Sequence, residues 1–176
     1  MTIKQSRRLM VAAAILALVA GGWAARTMLV APVATGQSAA ALLGVTLPDV
    51  DGKDQPLAQW KGKVLVINFW ATWCGPCREE MPMFVRLQRE QGTKGLQFVG
   101  IAVDQVDKVR QFAGEIGLNY PALIGGYGAM ELSKTLGNSL MALPFTVIVD
   151  REGGVVHTQL GPLKEAQLAA IMQQLL

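Results

Sequence analysis

Val64-Leu65-Val66-Ile67-Asn68-Phe69-Trp70-Ala71-Thr72-Trp73-Cys74-Gly75-Pro76-Cys77 is the stretch that decides the fold. Val64 to Trp70 is a continuous apolar, β-rich run with one polar interruption, the pattern of a strand buried on both faces. After Cys74 the period changes. Met81, Phe84, Val85 and Leu87 recur at helical spacing, with Arg78, Glu79, Arg86, Arg89 and Glu90 between them, which predicts an amphipathic helix. Cys74 therefore stands at a strand-to-helix turn, where free amide groups and the helix dipole favour an anion and draw a thiol toward its thiolate. Pro76 suits the first helical turn, and Cys77 can reach back to close a small disulfide. These are the only two cysteines in the chain. The spacing reads as a redox pair. Two other readings are weaker: a zinc site would need two more ligands where the rest of the chain offers only His157, and a purely structural disulfide across so short a loop removes little entropy from the unfolded chain.

The 176 residues suggest one domain with an appendage. Lys4, Arg7 and Arg8 precede Leu9 to Ala25, seventeen residues without a charge. Residues 1–33 read as an uncleaved membrane anchor, with a cleaved signal peptide as the alternative, because the flanking small-residue sites suit cleavage poorly. Ser6-Arg7-Arg8-Leu9-Met10 is a faint match to a twin-arginine export signal. Basic residues before the apolar run leave the N-terminus in the cytoplasm and the remainder outside. The same segment distorts the composition. The net charge is +3, yet Lys4, Arg7, Arg8 and Arg26 supply four of the 16 basic residues, leaving 12 against 13 acidic ones beyond Arg26. The pI near 9.0 thus belongs to the targeting segment, and no basic surface for nucleic acid is indicated. Residues 34–41, small and polar, read as a linker to a domain over 42–176.

Within that domain, Val45-Thr46-Leu47 and the Asp51-Gly52 turn predict a short N-terminal hairpin, with Leu57 and Trp60 as apolar anchors. Pro82 should kink the redox helix, and Gly92 and Gly95 end it. Leu96 to Val103 is a second strand, and Asp104 is placed to cap the helix carrying Val106, Val109, Phe112 and Ile116. Pro121 to Ile124 reads as a short extended piece, and Met130, Leu132 and Leu136 as a short helix. Phe145 to Val149 is a third strand, turning through Asp150-Arg151-Glu152-Gly153-Gly154 into Val155 to Leu160. Leu163, Leu168, Ile171 and Leu175 mark a last helix. Strands alternating with helices imply an α/β fold with a mixed central sheet and helices on both faces.

Phe69-Trp70-Ala71-Thr72-Trp73-Cys74-Gly75-Pro76-Cys77-Arg78-Glu79-Glu80-Met81-Pro82 resembles the redox motif of the thioredoxin fold. More narrowly, it is similar to the membrane-anchored, extracytoplasmic thiol–disulfide oxidoreductases related to TlpA, ResA and the cytochrome c maturation thioredoxins. The likeness extends to Leu47-Pro48-Asp49, to Gly62-Lys63 and to Leu143-Pro144-Phe145-Thr146-Val147-Ile148-Val149-Asp150, covering about Val45 to Leu176. It implies a cis Leu143–Pro144 bond facing Cys74, blocking metal capture and letting the Leu143 backbone pair with an extended substrate. Trp73, Gly75 and Pro76 would complete the docking surface, whereas Trp70 belongs to the core and His157 to an exposed strand position without a role. One departure matters. Thioredoxins carry a buried aspartate six residues before the first cysteine, and this chain has Asn68 there. An amide cannot accept the Cys77 proton. Glu80, on the same helix face as Cys77 and matched by a glutamate in the ResA-like relatives, is the candidate to do so, while Glu79 is turned about 200° away. The alternative for Glu80 is an ordinary surface carboxylate in a charged run.

In this reading Cys74 attacks a partner's disulfide, Cys77 resolves the mixed disulfide, and Glu80 handles the Cys77 proton; no cofactor is called for. Gly75-Pro76 resembles the dipeptide of reducing thioredoxins, which points to a reductant. The resemblance implies oxidised protein dithiols as substrates, apocytochrome c foremost and copper-delivery proteins second, and a membrane thiol-transfer protein as electron donor. An oxidant or isomerase of exported proteins, and a non-enzymatic thiol-metal carrier, are the competing classes.

Overall fold

The computed structural model describes residues 39–176. The tripartite logic of strand, redox turn and helix appears as expected. β3 (Val64–Trp70) is buried at every position, and α2 (Gly75–Gln91) follows it. Around this unit the elements run α1 (Ala40–Leu43), β1 (Thr46–Pro48), β2 (Asp54–Pro56), a 3-10 turn at Leu57–Trp60, β3, α2, β4 (Leu96–Ala102) and α3 (Val106–Glu115). Then come β5 (Ala122–Ile124), α4 (Gly126–Thr135), β6 (Phe145–Val149), β7 (Val155–Leu160) and α5 (Glu165–Leu175).

The main sheet has the order β5-β4-β3-β6-β7. β3 is parallel to β4 and antiparallel to β6, so the sheet is mixed, and the β6–β7 hairpin supplies the antiparallel edge. Side chains alternate across β3 because a strand's period is two. Val64, Val66, Asn68 and Trp70 face α2, α3 and α5, meeting Met81, Phe84, Phe112 and Leu168. Leu65, Ile67 and Phe69 face the other layer, with α4 and the N-terminal elements, meeting Leu42, Leu57 and Ala129. β1 and β2 form the separate N-terminal hairpin, tied to the main sheet by a bridge between Asp49 and Leu123.

Helix α2 runs through Pro82, which withholds the N–H that would have bonded the Arg78 carbonyl. It closes at Gly92 in a 3-10 turn, and Gly95, at φ 101°, reverses the chain into β4.

Three expectations need correction. Ala39 is buried and its N–H donates to the Gly153 carbonyl, and α1 begins at Ala40, so the last three residues of the stretch read as a linker belong to the folded part. The rest of that stretch, and the anchor read over residues 1–33, lie outside the described residues. Among the described residues no helix is long and apolar enough to cross a membrane. Second, Asp104 does not cap α3: Gln105 holds that position, without a side-chain bond. Asp104 instead accepts from the Thr72 N–H at 3.1 Å, from the Thr72 hydroxyl and from the Gln105 N–H, and so pins the loop leading into Cys74. Third, His157 is half-buried rather than exposed, with Gln167 of α5 against it, its Nε2 3.2 Å from the ring Nε2 in a hydrogen bond. Burial holds its pKa below the ordinary value.

The Asp104 contacts carry a prediction. Burial pushes this carboxyl's pKa up, but the bonds from Thr72 and Gln105 outweigh it and hold the pKa below the ordinary aspartate value. Asp104→Ala should cost about 1 kcal/mol, read as a lower urea midpoint with an unchanged slope.

Candidate active site

The site is built at the C-terminal edge of β3. Cys74 is the N-cap of α2, with extended backbone, and its sulfur accepts from the Cys77 N–H at 3.3 Å. Pro76 stands in the first turn, and one turn brings Cys77 back over Cys74. The two sulfurs are joined in a disulfide across a Cα–Cα distance of 5.3 Å, so the structure is the oxidised form. Exposure separates their roles: Cys74 retains 6 % and Cys77 none, so only Cys74 can meet another protein's sulfur.

β6 pairs with β3 through Phe145 and Phe69, which places Pro144 beside Trp70 at the same edge as the redox turn. The Leu143–Pro144 bond is cis, as the resemblance implies. Pro144 is buried, Leu143 half-buried and packed against both core layers, and Gly75 and Pro76 are exposed. Trp73 is 68 % exposed, an indole held in water next to the reactive cysteine, whereas Trp70 is fully buried against Phe112.

Among the described residues Glu80 is the one carboxylate that is buried. It is 6 % exposed, while Glu79 lies in solvent as its helical angle requires. Its Oε1 accepts from Asn68 Nδ2 at 2.9 Å and its Oε2 from the Leu163 N–H at 2.8 Å. Asn68 Nδ2 also donates to Thr146 Oγ1 at 3.0 Å. Burial raises the Glu80 pKa to about 7, against the lowering effect of the Leu163 and Asn68 bonds. A carboxyl poised there both gives and takes a proton near neutral pH. The surface alternative for Glu80 is thereby excluded. Both its oxygens are engaged by Asn68 and Leu163 rather than by a cysteine sulfur.

Sequence reasoning did not assign Asn68 a part in the site beyond noting the missing aspartate. Its signal was present, as the one polar residue in an otherwise apolar strand. Thr146 and the Leu163 N–H gave none. Among the described residues no group of three or more His, Cys, Asp or Glu comes together in metal-binding geometry.

Comparison with known proteins agrees with this arrangement. The Redoxin family model matches residues 31–175. A thiol-disulfide oxidoreductase, ResA, of Bacillus thuringiensis subsp. konkukian is 32 % identical over 128 residues, 72 % of each chain. The thioredoxin-like protein YneN of Bacillus subtilis is 33 % identical over 127 residues, 70 % of this chain and 71 % of that one. Among solved structures, a thiol:disulfide interchange protein of Chlorobium tepidum superposes with a TM-score of 0.68 at 31 % identity, covering 74 % of this chain and 92 % of the other. A cysteine pair capping a helix, a cis-proline beside it and this degree of shared sequence leave one assignment: the chain belongs to the Redoxin family, as a thiol–disulfide oxidoreductase of thioredoxin fold related to ResA.

Proposed function

We propose that the protein is a reductant of disulfides in proteins outside the cytoplasm, held at the membrane by residues 1–33, with oxidised apocytochrome c as its foremost substrate and copper-delivery proteins as the second. The observation that carries the redox role is the solvent-reaching Cys74 joined to a buried Cys77, one helical turn from a carboxyl poised near neutrality. The reducing direction rests on Gly75-Pro76 and on the likeness to ResA.

The reduced Cys74 attacks one sulfur of the substrate disulfide and expels the other as a thiolate. Cys77 then attacks Cys74, releasing the substrate as a dithiol and closing the disulfide seen here. Glu80 accepts the Cys77 proton as that attack occurs and returns one when the enzyme is reduced again. Trp73, Gly75, Pro76, Leu143 and Pro144 form the surface on which an extended substrate segment docks, with the Leu143 backbone available for strand-like pairing. A membrane thiol-transfer protein recharges the dithiol.

The reduction potential of the full chain, equilibrated against defined thiol buffers, tests the direction. A value below about −220 mV is expected of an electron donor. A value above about −160 mV would make the protein an oxidant or isomerase of exported proteins instead.

A further inference from the structure

Asn138 is fully buried in the turn between α4 and β6, and both hydrogens and the oxygen of its amide are engaged. Its Nδ2 donates to the Ala142 carbonyl at 2.9 Å and to Ser133 Oγ at 3.0 Å, and its Oδ1 accepts from the Ala142 N–H at 3.1 Å. Ser133, equally buried in α4, donates in turn to the Met130 carbonyl at 2.8 Å. One side chain thus holds both backbone groups of a residue that lies outside every strand, since β6 begins only at Phe145. Burying an amide is costly unless it is fully bonded, and a fully bonded one fixes the geometry around it. Here it fixes the residue just before Leu143.

Extended backbone points the N–H and C=O of consecutive residues to opposite sides. Leu143 is kept extended by the proline that follows it. With the Ala142 groups turned in to Asn138, those of Leu143 turn out, and among the described residues neither has a partner. Leu143 also packs against the core layer that includes Cys74. The next residue whose groups could face outward is Met141. Its N–H is taken by the Asn138 carbonyl at 3.0 Å, and its φ of 48° breaks the extended run. The free edge is therefore one residue long.

We propose that Asn138 is a positioning residue for the substrate: it presents Leu143 as a single two-bond docking pair and so sets the register of an extended protein segment at the redox turn. The inference rests on the docking role of Leu143 proposed above and names what that role selects. A pair made through the backbone reads no side chain, so the site accepts a protein segment of any sequence at that point. A small disulfide, with no peptide group beside its sulfur, gains nothing from it.

The reduced full-length chain, offered two substrates, tests this. One is the small disulfide dithiobis-nitrobenzoate; the other is a peptide whose one cysteine carries the same thionitrobenzoate group. Cys74 takes the peptide sulfur, thionitrobenzoate leaves as the thiolate, and Cys77 then frees the peptide thiol as the enzyme disulfide closes. Asn138→Ala should lower the second-order rate constant for the peptide about tenfold more than that for the small disulfide, the effect of two weakened hydrogen bonds. Equal losses on both substrates, or none, overturn the proposal and leave the docking reading standing. Amide hydrogen exchange in Cys77→Ser, before and after it captures the peptide, gives a second answer that does not depend on the Asn138 variant folding. The Ala142 amide should be protected in both states, and the Leu143 amide should become protected only on capture. An Ala142 amide that exchanges freely before capture overturns the clamp, and a Leu143 amide unaltered by capture overturns it together with the docking reading.

Discussion

Cys77→Ser is expected to arrest the protein as a mixed disulfide, with Cys74 bonded to its substrate. Cys74 alone has access to solvent, at 6 % exposure against none for Cys77, so attack on a partner still takes place in this variant. What is lost is the second attack. In the wild type it comes from a thiol held one helical turn away, across the 5.3 Å that the disulfide already spans. Replacing this intramolecular step by an encounter with external thiol should slow release by at least about a thousandfold. Cys74→Ser removes the only reachable nucleophile and should abolish turnover without trapping anything. Non-reducing electrophoresis of the two variants with a disulfide-bonded protein substrate checks both outcomes. A Cys74→Ser chain that retained full turnover would end the assignment of roles, and with it the redox mechanism.

Glu80→Gln should change the pH dependence of stability by about 3 kcal/mol, from the gap between a folded-state pKa of about 7 and the ordinary value of 4.5. Because burial raises the folded-state pKa, the folded chain binds this proton more tightly than the unfolded chain does. The stability so supplied is complete below about pH 4.5 and is lost as the pH rises toward 7. Ionising a carboxyl against its burial therefore makes the wild type less stable at pH 8 than at pH 5. A glutamine keeps an acceptor for Asn68 or Leu163 and carries no charge. The variant should lose that slope and unfold at a higher urea concentration than the wild type above pH 7. Chemical unfolding of the oxidised proteins from pH 5 to pH 8 makes the comparison. Equal slopes in the two would mean that Glu80 does not hold its proton to neutrality. The exchange reaction should respond in parallel, losing its inflection near pH 7 in the variant.

The strand, the redox turn and the helix were legible because each is encoded within a few residues: the unbroken apolar run of Val64 to Trp70, the two cysteines three apart, the helical spacing of Met81, Phe84 and Leu87. The closing hairpin was equally local, in Asp150 to Gly154 and the alternating residues after it. The resemblance of this motif carried the cis bond at Pro144, which no local pattern demands. Asp104 shows where such reasoning stops. Its position before a helix suggested a cap, and its carboxylate instead turned 32 residues back along the chain to Thr72.

Glu80 shows it more fully. Helical spacing put it on the face of Cys77, and the same letters left an exposed carboxylate in an Arg-Glu-Glu run as the alternative. Which of the two it is depends on what covers it, and the cover comes from far away in the chain. The Leu163 N–H is 83 residues from Glu80, and Thr146 is 78 from the Asn68 that links them. By itself the sequence determined the reactive pair, the order of strands and helices, and the helix face on which Glu80 stands, because periodicity and backbone preference act over neighbouring residues. The tertiary structure alone decided that the carboxyl is dry, bonded on both oxygens and raised to about 7, because a pKa answers to solvent exclusion and dipoles that only packing brings together.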